Sequence, residues 1–339
     1  MVFTVLSQEI VPALNSLVSS KQVINFTVEG EVLKLQGFEP IINNKTVKLN
    51  KIDDNSGNNS ISVKLDGSFN LLEPGEVMLM IDKDSLLITS PDYRSRFASV
   101  YEERFINKGA VVEECEVYTN TFGHISRIAQ GMSNVAASIG VDPPAVVFQK
   151  QKAYMLLSNI VWCMDTKFYD CILPVSQIRA INKSLTHSKY VLQLYGEERS
   201  YASIKYDDNS SISFQIRKDN SETINVINTI ISGLIKVGVS TIASLSDSLK
   251  IVEKIYKNEP VIAYIGKFGF RVELSQHTTS FLSIGKQKDS DILATVKTSV
   301  PVISLMHRVF GDSSFDVYIG GRYVCLKHDS QCLLLTGLQ

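Results

Sequence analysis

An internal repeat constrains the fold of this 339-residue chain more than any other feature of its sequence. The segment 144–159 recurs at 260–275 without a gap, and large apolar residues hold matching places in both copies. A third copy places Phe26 at the position that Phe148 and Tyr264 occupy in the other two. These three residues are separated by 122 and 116 residues, a period that corresponds to a whole domain rather than to a solenoid unit.

A second, shorter repeat lies inside each of these units. It consists of paired apolar segments, namely 190–194 with 201–207, 315–319 with 323–329 and, more loosely, 77–81 with 86–90. Each unit therefore has two halves, each a helix followed by strands, and six halves make up the chain. This organisation predicts an α+β protein of three tandem domains, 1–118, 119–234 and 235–339.

Apolar residues at helical spacing predict a helix at the start of most halves. The predicted helices are 7–20, 122–139, a segment that opens at Pro174, 241–257 and 299–310. The segment 66–72 predicts only a short helix, because Gly67 and Pro74 lie at its ends. Alternating apolar residues after the helices predict antiparallel strands, whereas the polar segment 51–60 predicts a flexible loop.

The charge and composition of the chain exclude several classes of protein. The formal net charge is −1, so any contact with DNA must come from a local basic face. The five cysteines lack metal-ligand spacing and are expected to be reduced, so we predict neither a metal nor a cofactor. The first residues do not resemble a signal peptide, and polar residues interrupt the apolar run 224–245. We therefore expect a cytoplasmic protein with no membrane partner.

No group of residues in the sequence predicts a catalytic site. The histidines are scattered and lack the spacing of metal-binding motifs. The segment 320–322 is typical of a hairpin turn rather than of a phosphate-binding loop, because no helix is predicted after it. Adjacent acidic residues such as Glu113 and Glu114 are typical of protein surfaces. We therefore expect a non-enzymatic protein, with an enzyme on a duplicated scaffold as an alternative.

The two-level repeat resembles the DNA sliding clamp, the polymerase processivity factor, over nearly the whole chain. In that family each domain is a pair of helix-plus-sheet halves, and the bacterial form has three such domains. The resemblance is one of pattern, since no short motif carries it. The weak helix at 66–72 departs from the family plan, and the apolar tail 333–339 lacks the usual Met-Pro-Met. The size and divergence of the chain suit a phage or another mobile element.

This resemblance implies a ring that two chains close, with helices inside and sheets outside. Such a ring would encircle duplex DNA without sequence specificity and tether a replicative DNA polymerase, and a clamp loader would be a further partner. The alternative is a structural or assembly protein, such as a virion component, built from the same duplicated units.

Basic residues recur on the polar sides of the predicted helices. A clamp needs such residues to attract phosphates without reading bases. Lys250, Lys254 and Lys257, for example, are spaced i, i+4 and i+7 on one predicted helix. The predicted DNA-binding residues are Lys21, Arg127, Arg179, Lys183, Lys189, Lys250, Lys254, Lys257 and Arg308. The alternative is that these side chains are merely solvated.

The family resemblance also places a groove for partner peptides between the second and third domains, walled in part by the C-terminal tail. An apolar cleft with an aromatic anchor suits a short apolar peptide. The predicted groove residues are Ile160, Val161, Trp162, Ile224, Val226, Leu334, Leu335, Thr336 and Leu338. Two alternatives stay open, namely that Trp162 is a core residue and that the tail is simply a terminal strand.

Overall fold

Helices and antiparallel sheets alternate along the chain in a computed structural model. It describes residues 1–17, 23–38, 41–54, 59–100, 110–185, 188–196, 201–207, 210–217, 222–256, 259–267, 269–275, 281–284 and 291–337. The α-helices are α1 (Ser7–Leu17), α2 (Thr119–Ser138), α3 (Val175–Ser184), α4 (Glu222–Ser232), α5 (Ser246–Ile255) and α6 (Val300–Phe310). Two short 3-10 helices span Gly67–Leu71 and Ala243–Leu245.

The strands are numbered in chain order. They are β1 (Val2–Leu6), β2 (Val23–Glu29), β3 (Val32–Phe38), β4 (Ile42–Lys48), β5 (Lys51–Asp54), β6 (Ser60–Lys64), β7 (Glu76–Ile81), β8 (Ser85–Ser90), β9 (Tyr93–Ala98), β10 (Val111–Tyr118), β11 (Val146–Gln149), β12 (Lys152–Leu157), β13 (Ile160–Asp165), β14 (Cys171–Leu173), β15 (Lys189–Tyr195), β16 (Tyr201–Asp207), β17 (Ser210–Gln215), β18 (Ile235–Thr241), β19 (Pro260–Gly266), β20 (Gly269–Ser275), β21 (Phe281–Ile284), β22 (Ile292–Ser299), β23 (Ser314–Gly320), β24 (Tyr323–His328) and β25 (Gln331–Thr336).

These strands form four antiparallel sheets. Sheet I has the order β5-β1-β7-β8-β9, and sheet II has the order β10-β15-β16-β17-β4-β3-β2-β6. Sheet III has the order β14-β11-β12-β13-β25-β24-β23-β18, and sheet IV has the order β21-β20-β19-β22.

The predicted two-level repeat is confirmed, with one addition: each half begins with a strand that precedes its helix. The order β1-α1-β2-β3-β4 recurs as β10-α2-β11-β12-β13 and as β14-α3-β15-β16-β17. It recurs again as β18-α5-β19-β20-β21 and as β22-α6-β23-β24-β25. In the remaining half, β6 to β9, the 3-10 helix Gly67–Leu71 stands in place of an α-helix. Among the described elements, β5, α4 and the 3-10 helix Ala243–Leu245 are additions to this plan.

The two halves of each predicted domain exchange their leading strands. β1 pairs with β7, β10 with β15 and β18 with β23. Conversely, β6 pairs with β2, β14 with β11 and β22 with β19. Neither half can therefore complete its sheet without the other.

The chain forms two compact units that differ from the three predicted domains. One unit contains residues 1–119 and 183–216, and the other contains 120–182 and 217–339. The reason lies in the sheets, because β4 pairs with β17 in sheet II and β13 pairs with β25 in sheet III. Both pairs join predicted neighbouring domains by continuous backbone hydrogen bonding. The boundaries 118/119 and 234/235 stay predictions.

Each unit has its own apolar core. In the first unit, Phe3, Phe26 and Phe69 are fully buried among strands of sheets I and II. In the second unit, Phe122 and Trp162 are among the largest fully buried side chains. Burial of these aromatic rings removes a large apolar area from water and stabilises each core.

Three local predictions are corrected by the structure. The segment predicted as a loop at 51–60 contains β5, whose four exposed residues pair with β1 by backbone hydrogen bonds rather than by burial. The predicted helix at 241–257 is divided into a 3-10 turn and α5. The apolar run after residue 221, for which no helix was predicted, contains α4. The short helix at 66–72 is present as a 3-10 helix, and Asp66 caps it by accepting a hydrogen bond from the Ser68 N–H at 2.9 Å.

Candidate functional site

The α-helices of the repeated halves together carry a net positive charge, although the chain as a whole does not. α1, α2, α3, α5 and α6 together contain six Lys or Arg and three Asp or Glu residues. The rest of the chain contains 28 basic and 32 acidic residues, from totals of 34 and 35. The basic excess is therefore confined to one class of element, which is the distribution expected of a surface that attracts a polyanion.

On α2 and α3, the structure places the predicted basic residues in different surroundings. Arg127 is exposed, and its guanidinium contacts Nδ1 of His124 at 2.8 Å. Lys183 is exposed at the last turn of α3. Arg179 is half-buried, and its Nη2 donates to Oγ of Ser133 at 3.4 Å. Arg179 therefore spans from α3 to α2 and is less free to reach a ligand than its neighbours.

His124 connects the basic side of α2 with sheet III. Its Nε2 lies 2.6 Å from Oε1 of Gln331 on β25, and its ring centroid lies 6.3 Å from that of Trp162. Burial lowers the pKa of His124, the hydrogen bond to Gln331 raises it, and the charge of Arg127 lowers it, with a net downward shift. The ring is therefore held neutral at pH 7, and it leaves the positive charge at this point to Arg127.

The other predicted basic residues divide into three groups. Lys254 on α5 is exposed, and Arg308 on α6 is half-buried. Lys189 lies on β15 rather than on a helix and forms an ion pair with Glu116, so its charge is largely compensated. The side chain of Lys250 is not described, and Lys21 and Lys257 lie outside the described residues.

A cavity of about 420 Å³ separates α2, α5 and α6. Arg308 and Glu253 line it together with Asn134 and Ser304. Its shape depends on Gly131, since a Cβ there would meet Leu305 at 2.9 Å and Arg308 Cδ at 3.0 Å. The glycine thus allows the aliphatic stem of Arg308 to lie directly on α2.

α4 packs on one face of sheet III, opposite to the face on which Trp162 lies. We use the name α4 cluster for the buried residues Tyr154, Cys163, Ile224, Cys325, Cys332 and Leu334, with the half-buried Val147, Leu156, Val161, Ile230, Ile231, Leu234, Tyr318 and Tyr323 around them. Ile224 and Ile227 of α4 are 0% and 6% exposed, so the helix buries one complete apolar side.

Two polar contacts fix α4 on the sheet. The Tyr154 hydroxyl lies 3.1 Å from Oδ1 and 3.0 Å from Nδ2 of Asn228. Lys150 Nζ donates to Oδ1 of Asn225 at 3.0 Å. Burial raises the pKa of Tyr154, so its hydroxyl keeps its proton and can donate to the amide oxygen.

Three thiols meet beneath α4. Sγ of Cys325 and Sγ of Cys332 are 2.9 Å apart, and Cys163 lies directly across from Cys332 on the neighbouring strand. The hydrogen bond to Cys332 and burial raise the pKa of the Cys163 thiol above its usual range. Buried, protonated thiols are poor nucleophiles, so these cysteines act as packing residues.

The predicted groove residues are divided between the two faces of sheet III. Val161, Ile224 and Leu334 meet in the α4 cluster. Ile160, Trp162 and Leu335 are 3%, 0% and 2% exposed, and they alternate with the cluster residues along β13 and β25.

Ile160, Trp162 and Leu335 are therefore corrected to core residues on the side of α2 and α6. The prediction treated consecutive residues as one wall, whereas successive side chains of a strand point to opposite faces. Val226 is 58% exposed on the outer side of α4. Thr336 is half-buried, and its N–H donates to Asn159 O at 3.0 Å. Leu338 lies outside the described residues.

Five further residues that were not predicted from the sequence contribute to α4 and the surface beneath it, namely Tyr154, Ile227, Asn228, Tyr318 and Tyr323. A signal was present, because Ile224, Ile227 and Ile231 are spaced i, i+3 and i+7, the pattern of one side of a helix. The tyrosines gave no such signal, since nothing local shows which face of a strand an outside helix covers.

Within the described residues, no three His, Cys, Asp or Glu side chains are grouped so that they could hold a metal ion. Among the helices described, none has both the length and the apolar character needed to cross a bilayer.

No protein-family model matches the sequence, and no curated protein sequence matches it. Solved structures do match. The DNA polymerase III subunit beta from Pseudomonas aeruginosa is 10% identical with a TM-score of 0.73, and 100% of each chain is covered. A putative DNA polymerase III beta subunit from Eubacterium rectale is 12% identical with a TM-score of 0.73, and 99% of each chain is covered.

A third match is the Helicobacter pylori beta clamp bound to a DNA ligase peptide. It is 12% identical with a TM-score of 0.68, and 100% of each chain is covered. Identities this low carry no information about individual residues, but full coverage of both chains includes all six halves. The chain has the three-domain fold of the bacterial DNA polymerase III β clamp.

Proposed function

We propose that the chain is a DNA sliding clamp. As a head-to-tail homodimer it would encircle duplex DNA without sequence specificity and hold a replicative DNA polymerase, and it would perform no chemistry itself. Such work belongs in the cytoplasm, with replication. The observation that carries the proposal is the pattern of strand pairs that join one domain to the next.

Two of these pairs follow a single rule. The last strand of a first half pairs with the last strand of a second half, as β4 pairs with β17 and β13 pairs with β25. Two strands in equivalent places have no such partner in the described part of the chain. β9 ends sheet I and pairs only with β8, while β21 ends sheet IV and pairs only with β20.

These two open edges support assembly with a second copy. An open edge presents unpaired N–H and C=O groups to any strand that can reach it. Pairing of β21 from one copy with β9 of the next would apply the same rule a third time. Because the two edges differ, the contact is heterologous. It gives a closed ring only if the rotation from one copy to the next brings the last copy back to the first. Two copies would then contribute six domains and two such contacts.

The basic residues on the helices support the DNA part of the proposal. Arg127, Lys183 and Lys254 are exposed on three of the helices, whereas most acidic residues lie elsewhere in the chain. Weak attraction to phosphates, with no base-reading groups required, suits a protein that must slide. The excess of basic over acidic residues on these helices favours the clamp over a virion assembly protein, which has no need of such an excess on its helices.

The partner surface is proposed to lie at the α4 cluster. The Helicobacter pylori clamp in the comparison is bound to a DNA ligase peptide, which supports peptide capture as the mode of partner binding. We extend this mode to a polymerase and a clamp loader. In this chain, Val161 and Leu334 belong to the apolar face of sheet III that such a peptide would meet, and Ile224 of α4 packs on that face.

The β9 edge offers a direct test of assembly. The Ser99 N–H donates to Asp84 O at 2.8 Å, so alternation along the strand directs the Arg94 N–H away from β8. Arg94 is exposed, and proline is tolerated at an edge where the N–H faces outward. Arg94→Pro should therefore break the contact between copies and leave the fold intact.

Light scattering should give about twice the chain mass for the wild type and for Arg94→Ala, and a single-chain mass for Arg94→Pro, at the same micromolar concentration. Circular dichroism should be unchanged in all three. A wild type that is monomeric, or an Arg94→Pro variant as dimeric as Arg94→Ala, would contradict the proposed assembly.

A further inference from the structure

α4 binds sheet III in the manner of a separate helical ligand. It lies outside the six repeated halves, and its buried side consists of isoleucines spaced i, i+3 and i+7, namely Ile224, Ile227 and Ile231. Glu222 is its only charged residue. Its attachment therefore depends on apolar packing and on the amide contacts of Asn225 and Asn228.

The segment directly after α4 is held on sheet III by contacts of its own. Leu234 packs on the α4 cluster, and its Cδ2 lies only 2.8 Å from the place that a Cβ on Gly320 would occupy. β18 then pairs with β23 through Ile235 and the residues that follow. Gly233 separates this anchored segment from the helix, and its backbone freedom allows the C-terminal end of α4 to move while β18 stays paired.

The surface beneath α4 has the composition of a peptide-binding site. Tyr154, Tyr318 and Tyr323 supply aromatic surface with hydroxyl groups, and Val161 and Leu334 supply aliphatic surface. Aromatic residues of this kind are enriched where proteins bind helices and peptides. Of the predicted groove residues that come together, Val161 and Leu334 lie on this surface, and Ile224 belongs to the helix that covers it.

We propose that α4 is a displaceable cover, and that the surface beneath it receives an amphipathic helix from a protein partner. The chemistry of α4 defines that partner: branched aliphatic residues at i, i+3 and i+7, and an amide or hydroxyl facing Tyr154. While α4 is docked, the site is closed. A partner segment binds by replacing α4, so its apparent affinity equals its intrinsic affinity multiplied by the fraction of molecules in which α4 is undocked. The inference rests on the proposed function only in taking the partner from the replication machinery.

The test uses a covalent link that prevents α4 from leaving. Lys150→Cys and Asn225→Cys are combined with Cys115→Ser, and the two new thiols are joined by a short bis-maleimide. The Lys150 and Asn225 side chains already touch, so the link fits the docked state. The other four native cysteines are buried and should not react. The probe is a fluorescein-labelled peptide with the sequence of residues 222–232, and its binding to the full chain is measured by fluorescence anisotropy.

The unlinked protein should bind the probe saturably, and the linked protein should bind it at least about tenfold more weakly. Asn228→Ala removes one hydrogen bond that holds the cover, so it should strengthen probe binding about threefold or more. Val226→Ala, on the exposed side of α4, is the matched control and should change nothing. Equal probe binding with and without the link, or no probe binding by any variant, would overturn the inference.

The same samples separate this inference from the proposed function. If linked and unlinked proteins are both dimeric and stimulate polymerase equally, the proposed clamp function is supported and the proposal that α4 is a displaceable cover is refuted. If no variant dimerises but the link still blocks the probe, the cover stands and the clamp fails.

Discussion

Removing the exposed charges on the helices should change how binding to DNA depends on salt. Arg127, Lys183 and Lys254 are the predicted DNA-binding residues that the structure leaves exposed on helices. Arg179 is left out because it contacts Ser133, and Lys189 because it is paired with Glu116. The triple variant Arg127→Gln, Lys183→Gln, Lys254→Gln removes three charges without adding acidic ones.

The expected size follows from counterion release. If each of the three residues neutralises one phosphate, the log–log salt slope should fall by about 2.7, at roughly 0.9 per contact. Between about 50 and 200 mM salt, a fourfold change, the wild type should then lose roughly 40-fold more affinity than the variant. The assay is fluorescence anisotropy with a short labelled duplex over a series of salt concentrations.

A matched control uses three lysines of equal charge on strands. The three lysines lie on strands, and each forms an ion pair: Lys34 with Glu29, Lys51 with Asp53 and Lys236 with Asp316. Changing all three to Gln should leave the slope close to that of the wild type. If the helix variant keeps the wild-type slope while the strand variant lowers it, the helices do not form the DNA surface.

Two further variants test the side of sheet III that faces α2. Trp162 is the sole tryptophan and is fully buried, so its fluorescence should be blue-shifted and protected from acrylamide, and a red-shifted, quenchable emission would contradict its core placement. Trp162→Ala should lower the free energy of unfolding by about 3–5 kcal/mol in urea titrations, whereas Val226→Ala should change it by close to zero. The pKa of His124 is lowered in the folded state, so the unfolded state binds more protons below about pH 6.5 and stability should fall as the pH drops through this range. His124→Gln should reduce the difference in melting temperature between acid and neutral pH, and an unchanged difference would refute this role.

The repeat made most of the fold predictable from the sequence. Residues that recur at a domain-sized spacing occupy equivalent positions in similar units. Phe26, Phe148 and Tyr264 therefore indicated three similar units without any assignment of secondary structure. The exchange of leading strands between halves was not predictable. Strands such as β1 and β10 pair with segments far along the chain, and no local pattern records that partner.

Strand β5 and the candidate site were predictable only in part, for three physical reasons. Backbone pairing can form a strand without burial, so the polar, exposed β5 gave no apolar pattern to detect. Conversely, a strand buried on both faces has no alternation, so Ile160 to Trp162 did not reveal that Val161 faces α4 while its neighbours face α2 and α6. Basic residues were found by type, but whether each one is free depends on partners such as Ser133 and Glu116.

Retention on circular DNA tests directly whether the protein encircles a duplex. Dissociated chains would be brought to micromolar concentration with a nicked circular plasmid, so that rings form around it, and then separated by gel filtration in about 1 M salt, where electrostatic contacts are screened within roughly 3 Å. A ring predicts that the protein elutes with the circular plasmid and is released when a restriction enzyme linearises it. Equal retention on circular and linear DNA, or retention on neither, would contradict encirclement.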